Sequence, residues 1–307
     1  MASSNFAFNN PAFQEQRPGL TPPSAQQQAG TQTQSAAAAH QGVNVAANAQ
    51  MEGMFAAPPA GAIETGRMTV EDTVIKTLSL FAILLVTAVV GWMWTLSPVT
   101  IANPNPTIMP WIIGALGGFV LAMAVIFTSR KKIRPALIFA YAAFEGLFIG
   151  GISAFFEFMM PGIVMQATLA TLSVIGVTLA LFASGKIRAS KKATKIFMIA
   201  MVGYLVFSLL NLVLMWTGAI PGNMMFGMHS LSFNIMGFDI PLGLIIGVFV
   251  VLLAAYSLVL DFDRIQQGVR NGAPREFGWL GAFGIMVTVV WLYVEILRII
   301  AIIRGGD

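Results

Sequence analysis

The chain has 307 residues, of which 57% are hydrophobic and 10% are charged, and its mean hydropathy is +0.78. These values exclude an ordinary soluble globular protein, in which about a quarter of the residues are charged. The net charge of +4 does not indicate a nucleic-acid-binding protein, because the basic residues flank apolar segments, where anionic lipid headgroups attract them. With no cysteine and two histidines, the sequence predicts no disulfide, no cofactor and no tight metal site.

Residues 1–66 form a polar, low-complexity tail rich in Ala, Gln, Asn and Pro. Such a segment cannot bury enough apolar area to offset the entropy lost on ordering, so it is predicted to be disordered. Its first twenty residues lack a basic start followed by an apolar core, which argues against a cleavable signal peptide. Residues 67–307 form a second domain, and Thr69 followed by Glu71 and Asp72 predicts an N-capped helix at its start.

Seven stretches of the second domain are long and apolar enough to cross a bilayer, which requires about 20 residues. They are residues 74–96, 111–128, 136–156, 163–183, 196–216, 240–260 and 277–303. The fold class is therefore predicted to be all-α, a polytopic bundle of seven transmembrane helices. The gap 217–239 contains Pro221, Gly222 and His229 and is predicted to be an irregular loop.

Basic residues occur in alternate gaps between these stretches. Twelve of the seventeen Lys and Arg residues lie in three gaps, namely 129–135, 184–195 and 261–276. The other three gaps hold none of them, namely 97–110, 157–162 and 217–241. Since basic loops remain in the cytoplasm, the alternation predicts a multi-pass protein with a cytoplasmic N-terminus and, after seven spans, an outer C-terminus.

Charged side chains within the apolar stretches are candidates for function, because placing one at the bilayer centre costs about 2.5–3.5 kcal/mol on insertion scales. Glu145 lies mid-way along the third stretch, beside Gly146, and is expected to face the bundle interior. There it can change its protonation near neutral pH, or it can remain neutral and hydrogen-bonded to a neighbouring helix. Glu295 and Arg298 are three residues apart and share one helix face. This pair can tune an ion pathway or simply anchor the seventh helix.

A second acidic group closes the sixth stretch, where Asp261 and Asp263 precede Arg264. Two carboxylates two residues apart point in different directions on a helix. One of them can therefore face the bundle while the other forms an ion pair with a nearby arginine. The alternative is a solvated, salt-bridged helix end without further function.

Enzymatic function is not expected from this sequence. The Gly-x-Gly-Asp tetrad of intramembrane aspartyl proteases is missing. The nearest match to the Gly-x-Ser-Gly of rhomboid-like proteases is Gly151-Ile-Ser153-Ala154, and no apolar stretch contains a histidine. The His-Glu-x-x-His and phosphate-binding Gly-Lys-Ser/Thr motifs are absent as well.

Two segments at the ends of the last two stretches, Tyr256–Ile265 and Trp291–Ile300, resemble the Bax inhibitor-1 (transmembrane Bax inhibitor motif) family. The basic run Ser129–Lys132 and the segment Phe144–Gly150 agree with this resemblance, which covers about residues 70–303. The long polar tail suggests a divergent bacterial branch, and the resemblance then implies the inner (plasma) membrane as the location.

The resemblance implies a seven-helix bundle with the seventh helix near its centre and a link to pH-sensitive calcium leak. In that family, an aspartate at the end of span six pairs with an aspartate in span seven as a proton-controlled gate. Asp261 matches the first position, whereas Thr288 stands at the second, so the coupling between two carboxylates is expected to be lost. The span-two arginine of the family corresponds to Arg130. The remaining candidates for a carboxylate partner are Glu145, Glu295 and Asp263.

The leading hypothesis is a passive, proton-modulated cation pathway for calcium, lined by Glu145, Asp261 and Glu295 and tuned by Arg298. Three scattered acids supply too few oxygens for a tight calcium site, but a leak requires only weak occupancy. The alternative is a non-transporting regulator that binds other membrane proteins, such as a quality-control protease. The expected partners are thus the lipid bilayer, calcium ions and protons, or membrane proteins, and no nucleic acid.

Overall fold

The computed structural model describes residues 66–219, 226–235 and 238–305. It contains seven long helices, namely α1 (Val70–Leu96), α2 (Met109–Ser129), α3 (Pro135–Met159), α4 (Ile163–Ala183), α5 (Lys191–Trp216), α6 (Leu242–Arg270) and α7 (Phe277–Gly305). All seven are long and apolar enough to cross a membrane. The predicted all-α class and seven-span architecture are therefore confirmed. Apart from Gly66, the tail predicted at residues 1–66 lies outside the described residues.

Each predicted stretch corresponds to one helix, and the differences lie at the ends. The largest is in α6, which continues to Arg270 instead of ending at residue 260. Asp261, Asp263 and Arg264 therefore lie within the last turns of this helix, because polar residues can extend a helix beyond its apolar part. Helix α5 begins five residues earlier than predicted, at Lys191, where Ser190 Oγ accepts a hydrogen bond from the Ala193 backbone N–H at 3.2 Å.

The predicted N-cap of α1 is confirmed by its geometry. Thr69 has an extended backbone, and its Oγ1 accepts a hydrogen bond from the Asp72 backbone N–H at 3.0 Å. The side chain thus satisfies one of the N–H groups that the first helical turn leaves without an intrahelical acceptor.

The segment between α5 and α6 is more regular than predicted in its described part. It contains a short 3₁₀ turn, Gly227–Ser230, and an antiparallel hairpin of β1 (Ser232–Ile235) and β2 (Phe238–Pro241). The register of the hairpin places Ser232 opposite Pro241. The 3₁₀ turn packs against α5 and α6.

Helix α7 lies at the centre of the bundle and packs against α1, α3, α4 and α6. Half of the residues in the most apolar segment of α7 are buried, which is the largest share among the seven helices. In α5 the corresponding share is 6%. Helices α1 and α3 approach closely because Gly146 and Gly150 face the backbone of Leu84 and Ala88. Helix α5 is therefore a peripheral element, and a crevice separates part of it from the central helices.

Candidate functional site

A cavity of about 600 Å³ lies in the crevice between α5 and helices α2, α3, α6 and α7. Its walls are largely apolar, and their polar atoms are mostly hydroxyl groups. The hydroxyl-bearing residues that line it are Tyr141, Tyr204, Ser208, Ser257 and Thr288. A second cavity of about 310 Å³ lies beneath the 3₁₀ turn and shares Ser208 with the first. Ser208 therefore lies between the two cavities.

Asp261 on α6 and Thr288 on α7 form a buried polar contact at the edge of the larger cavity. The Thr288 hydroxyl donates a hydrogen bond to Asp261 Oδ2 at 2.6 Å, and Asp261 has no exposed surface. The Ser257 hydroxyl lies 3.4 Å from the Thr288 hydroxyl. Thr288 thus stands opposite Asp261, at the position where the sequence resemblance implies a second aspartate, and it retains a hydrogen bond in place of the carboxylate coupling.

Glu295 and Arg298 form an ion pair on α7, in agreement with their predicted placement on one helix face. The Tyr204 hydroxyl on α5 donates to the second Glu295 oxygen at 3.0 Å, and Arg298 Nη1 donates to the Tyr204 hydroxyl at 3.2 Å. Glu295 is buried, with 3% of its surface exposed. The three side chains therefore join α5 to the central helix across the crevice.

His229, on the 3₁₀ turn, extends this network. Its Nε2 lies 2.9 Å from Arg298 Nη1, and its Nδ1 lies 3.4 Å from the Asn211 side-chain nitrogen. Burial, followed by the positive charge of Arg298, lowers the pKa of His229 from 6.5 to about 4. The ring is therefore neutral at physiological pH, and its Nε2 lone pair accepts from Arg298. This role could not be predicted from the sequence, because the contact joins residues 69 positions apart.

Glu145 on α3 lies apart from the other two acids. It is half-buried, and its carboxylate faces Gly118 of α2 and lies beside the hydroxyl of Tyr141, one helical turn away. The i,i+4 spacing of Tyr141 and Glu145 is the sequence signal that could have predicted this contact.

The three acids share one feature, although they do not form a cluster. Each contacts a hydroxyl group that lines the larger cavity, and the pairs are Glu145 with Tyr141, Asp261 with Thr288, and Glu295 with Tyr204. Within the described part of the chain, no three His, Asp or Glu residues come close enough to hold a metal ion. The arrangement can thus transmit the charge of three carboxyl groups to one cavity without building a tight cation site.

Comparison with known proteins agrees with the resemblance noted in the sequence. The profile of proteins described as Bax inhibitor 1 like matches residues 10–305, nearly the whole chain. The chain belongs to the Bax inhibitor-1-like family. No curated protein and no solved structure matches it. With seven apolar helices, this Bax inhibitor-1-like protein is a multi-pass membrane protein.

The remaining predicted residues of this Bax inhibitor-1-like bundle lie outside the cavity lining. Asp263 accepts a hydrogen bond from Gln267 at 2.6 Å, and Arg264 is half-buried beside Asp261 and Asp263. Arg130 is exposed, one residue beyond α2. These three residues lie in the basic segments 129–135 and 261–276, at the C-terminal ends of α2 and α6.

The Bax inhibitor-1-like bundle also contains an ionic cluster in which Asp72 and Lys76 are buried and Arg275 is exposed. Asp72 contacts Lys76 at 2.5 Å and Arg275 at 2.7 Å, and Lys76 Nζ donates to the Arg275 carbonyl oxygen at 2.7 Å. Asp72 and Lys76 are four residues apart, a spacing that predicts their ion pair. Arg275 could not be assigned, because it comes from the loop before α7.

Proposed function

We propose that this membrane protein is a passive, proton-modulated pathway for cations, with calcium as the ion that the family resemblance implies. The observation that carries the proposal is that each of the three carboxyl groups lies beside a hydroxyl that lines one cavity, with hydrogen bonds from Thr288 to Asp261 and from Tyr204 to Glu295. Acids within membrane spans are costly, and their contact with the hydroxyl groups of one cavity is the kind of arrangement expected of an ion or proton route.

The hydroxyl groups would transmit the protonation state of the acids. When Asp261 is ionised, it only accepts hydrogen bonds, so Thr288 donates to it and turns its own lone pairs away from the carboxylate. When Asp261 is protonated, it can donate to Thr288, whose hydrogen must then point elsewhere. A hydroxyl that presents lone pairs attracts a passing cation, and one that presents a hydrogen repels it. Proton binding would therefore oppose cation passage.

The site suits transient occupancy. Calcium prefers six to eight oxygen ligands, and the separated acids and hydroxyls offer fewer at any one level of the cavity. Weak binding allows an ion to leave as readily as it enters. Since Asp261 is fully buried, a cation cannot reach its carboxyl group in this conformation. Passage therefore requires α5 or α6 to move. Helix α5 is the less packed of the two.

Calcium flux into dye-loaded liposomes tests the proposal. The Glu145→Gln/Asp261→Asn protein should lose the pH dependence and most of the flux of the wild type between pH 6 and 8. Glu276→Gln is the matched control, because it makes the same chemical change at an exposed residue before α7. Equal flux in wild type, double variant and control would refute the pathway.

A second candidate function is the binding of another membrane protein. The loose packing of α5 favours it, because this helix exposes apolar side chains outside the cavity lining, such as Ile199, Val202 and Leu210. A partner helix could replace lipid on this face without opening the cavity. Under this reading the protein restrains its partner and carries no ion.

A further inference from the structure

We propose that Arg298 is a tethered cation that occupies the cation site of Glu295 and thereby limits the binding of free cations at that end of the cavity. The inference rests on the proposed function in treating Glu295 as part of a cation route. It adds a specific competitor, built into α7, that must leave before calcium can bind.

Glu295 has the geometry of a small cation site that is already filled. One carboxylate oxygen accepts from Arg298 and the other from the Tyr204 hydroxyl. The neighbouring helix α6 presents Gly247 at this level, and a Cβ added there would lie 3.6 Å from Glu295 Oε1. Because a glycine stands here, the carboxylate is not crowded by an α6 side chain at that oxygen.

The charges around Glu295 are few. Tyr204 on α5 and His229 on the 3₁₀ turn are the titratable groups of the neighbouring elements in this network, and α6 presents Gly247. Helix α3 contributes the apolar Ile152 and Phe156 to the adjacent cavity. With His229 neutral, Arg298 is the group that balances Glu295 in this network.

Arg298 is held by incomplete contacts and has space to move. Its Nη atoms contact Glu295, Tyr204 and His229, but its Nε–H has no hydrogen-bond partner among the described residues. The side chain is 17% exposed and lines the 310 Å³ cavity beneath the 3₁₀ turn. A guanidinium with an unsatisfied donor beside a cavity can be displaced more easily than one with all its donors satisfied.

When Arg298 is removed, the buried carboxylate of Glu295 loses its counter-charge. It must take up a proton or bind another cation, because an isolated buried charge is strongly disfavoured. Cation binding in an Arg298→Gln protein should therefore strengthen as the pH rises and proton competition weakens. In the wild type, the tethered guanidinium should suppress this binding.

Terbium(III) binding to the full-length protein in detergent tests the inference, since Tyr204 and Trp291 lie near enough to this site to sensitise terbium luminescence. Arg298→Gln should bind terbium about tenfold more tightly than the wild type, and calcium should displace it. The gain should disappear in Glu295→Gln/Arg298→Gln. Equal terbium affinity in wild type and Arg298→Gln would overturn the inference.

Arg298→Lys provides a second variant that preserves the charge. Lysine lacks the planar, forked guanidinium group that contacts Glu295, Tyr204 and His229 together. The terbium affinity of the Arg298→Lys protein should therefore fall between those of wild type and Arg298→Gln. If Arg298→Gln does not fold, wild-type affinity in Arg298→Lys overturns the inference.

Binding in detergent does not depend on transport, so the two proposals can fail separately. Tighter terbium binding by Arg298→Gln in a protein without calcium flux would refute the pathway and leave the tethered cation in place. Flux that depends on Glu145 and Asp261, together with terbium binding that Arg298→Gln leaves unchanged, would overturn the tethered cation alone.

Discussion

Thr288 is the residue at which this chain departs from the aspartate pair that its family resemblance implies. Its hydroxyl lies 2.6 Å from Asp261, so an aspartate at position 288 would place two carboxyl groups in direct contact. Two such groups cannot both be ionised and must share a proton, which couples their titrations. The known contact thus allows the missing coupling to be restored by one substitution.

Thr288→Asp should therefore make calcium flux in liposomes depend more steeply on pH than it does in the wild type. Thr288→Asn is the matched control, because asparagine has nearly the same shape but does not titrate. The expectation fails if the aspartate and asparagine variants have the same pH profile.

His229 should make the stability of the fold depend on pH. Its folded pKa of about 4 lies below the ordinary value of 6.5, so the unfolded chain takes up a proton first as the pH falls. The neutral His229 ring therefore contributes fully to the free energy of unfolding above pH 6.5. This contribution is lost progressively between pH 6.5 and 4, with an upper limit on the order of 3 kcal/mol. Thermal unfolding at pH 7.5 and 5 should show this loss. His229→Gln, which cannot titrate, should show a smaller pH dependence, and an unchanged one would contradict the assignment.

At the scale of elements, the contact between α1 and α3 depends on glycine. A Cβ at Gly150 would collide with the backbone of Ala88, whereas a Cβ at Gly176 on α4 would meet no atom within 4 Å. Gly150→Ala should therefore lower the free energy of unfolding by about 1–3 kcal/mol through overpacking. Gly176→Ala should change it by less than about 1 kcal/mol, since it alters only helix propensity. Equal effects on thermal unfolding would show that the two helices are not closely packed.

Much at this scale could be predicted from sequence, and the exceptions have a common cause. Hydropathy located all seven helices, and residue spacing placed Glu295 and Arg298 on one face, because both properties are local to a helix. The contacts of His229 with Arg298 and of Arg275 with Asp72 were missed, since they depend on how distant segments meet. The end of α6 was wrong because hydropathy does not detect helical turns that are polar, such as those between Asp261 and Arg270.

At the scale of the whole molecule, the start of the described chain is attached to the loop before α7. The Met68 backbone N–H donates to the Ala273 carbonyl at 2.7 Å, and the Arg275 N–H donates to the Gly66 carbonyl at 2.9 Å. Residues 66–68 therefore belong to the folded bundle, and a truncation that preserves the fold should end before Gly66.

Deletion of residues 1–65 distinguishes the two candidate functions. A cation pathway formed by the helices should keep its calcium flux in liposomes, because the described residues that line the cavities all belong to the helices or to the 3₁₀ turn and its N-cap residue Phe226. A regulator that captures its partner through the tail should lose that partner in a pull-down from solubilised membranes while thermal unfolding remains unchanged. Loss of flux in a stably folded truncated protein would contradict the placement of the pathway within the bundle.

Modification of a cysteine at position 208 tests the central claim most directly, because Ser208 lines both cavities and the native chain contains no cysteine. The control is Leu210→Cys, because Leu210 lies on the exposed face of the same helix. Both cysteine variants would be labelled to completion in detergent with a positively charged thiol reagent and then reconstituted into liposomes. A bulky cation at position 208 should abolish most of the calcium flux, and the same label at position 210 should leave it unchanged. Full flux through the labelled Ser208→Cys protein would show that cations do not pass through this cavity.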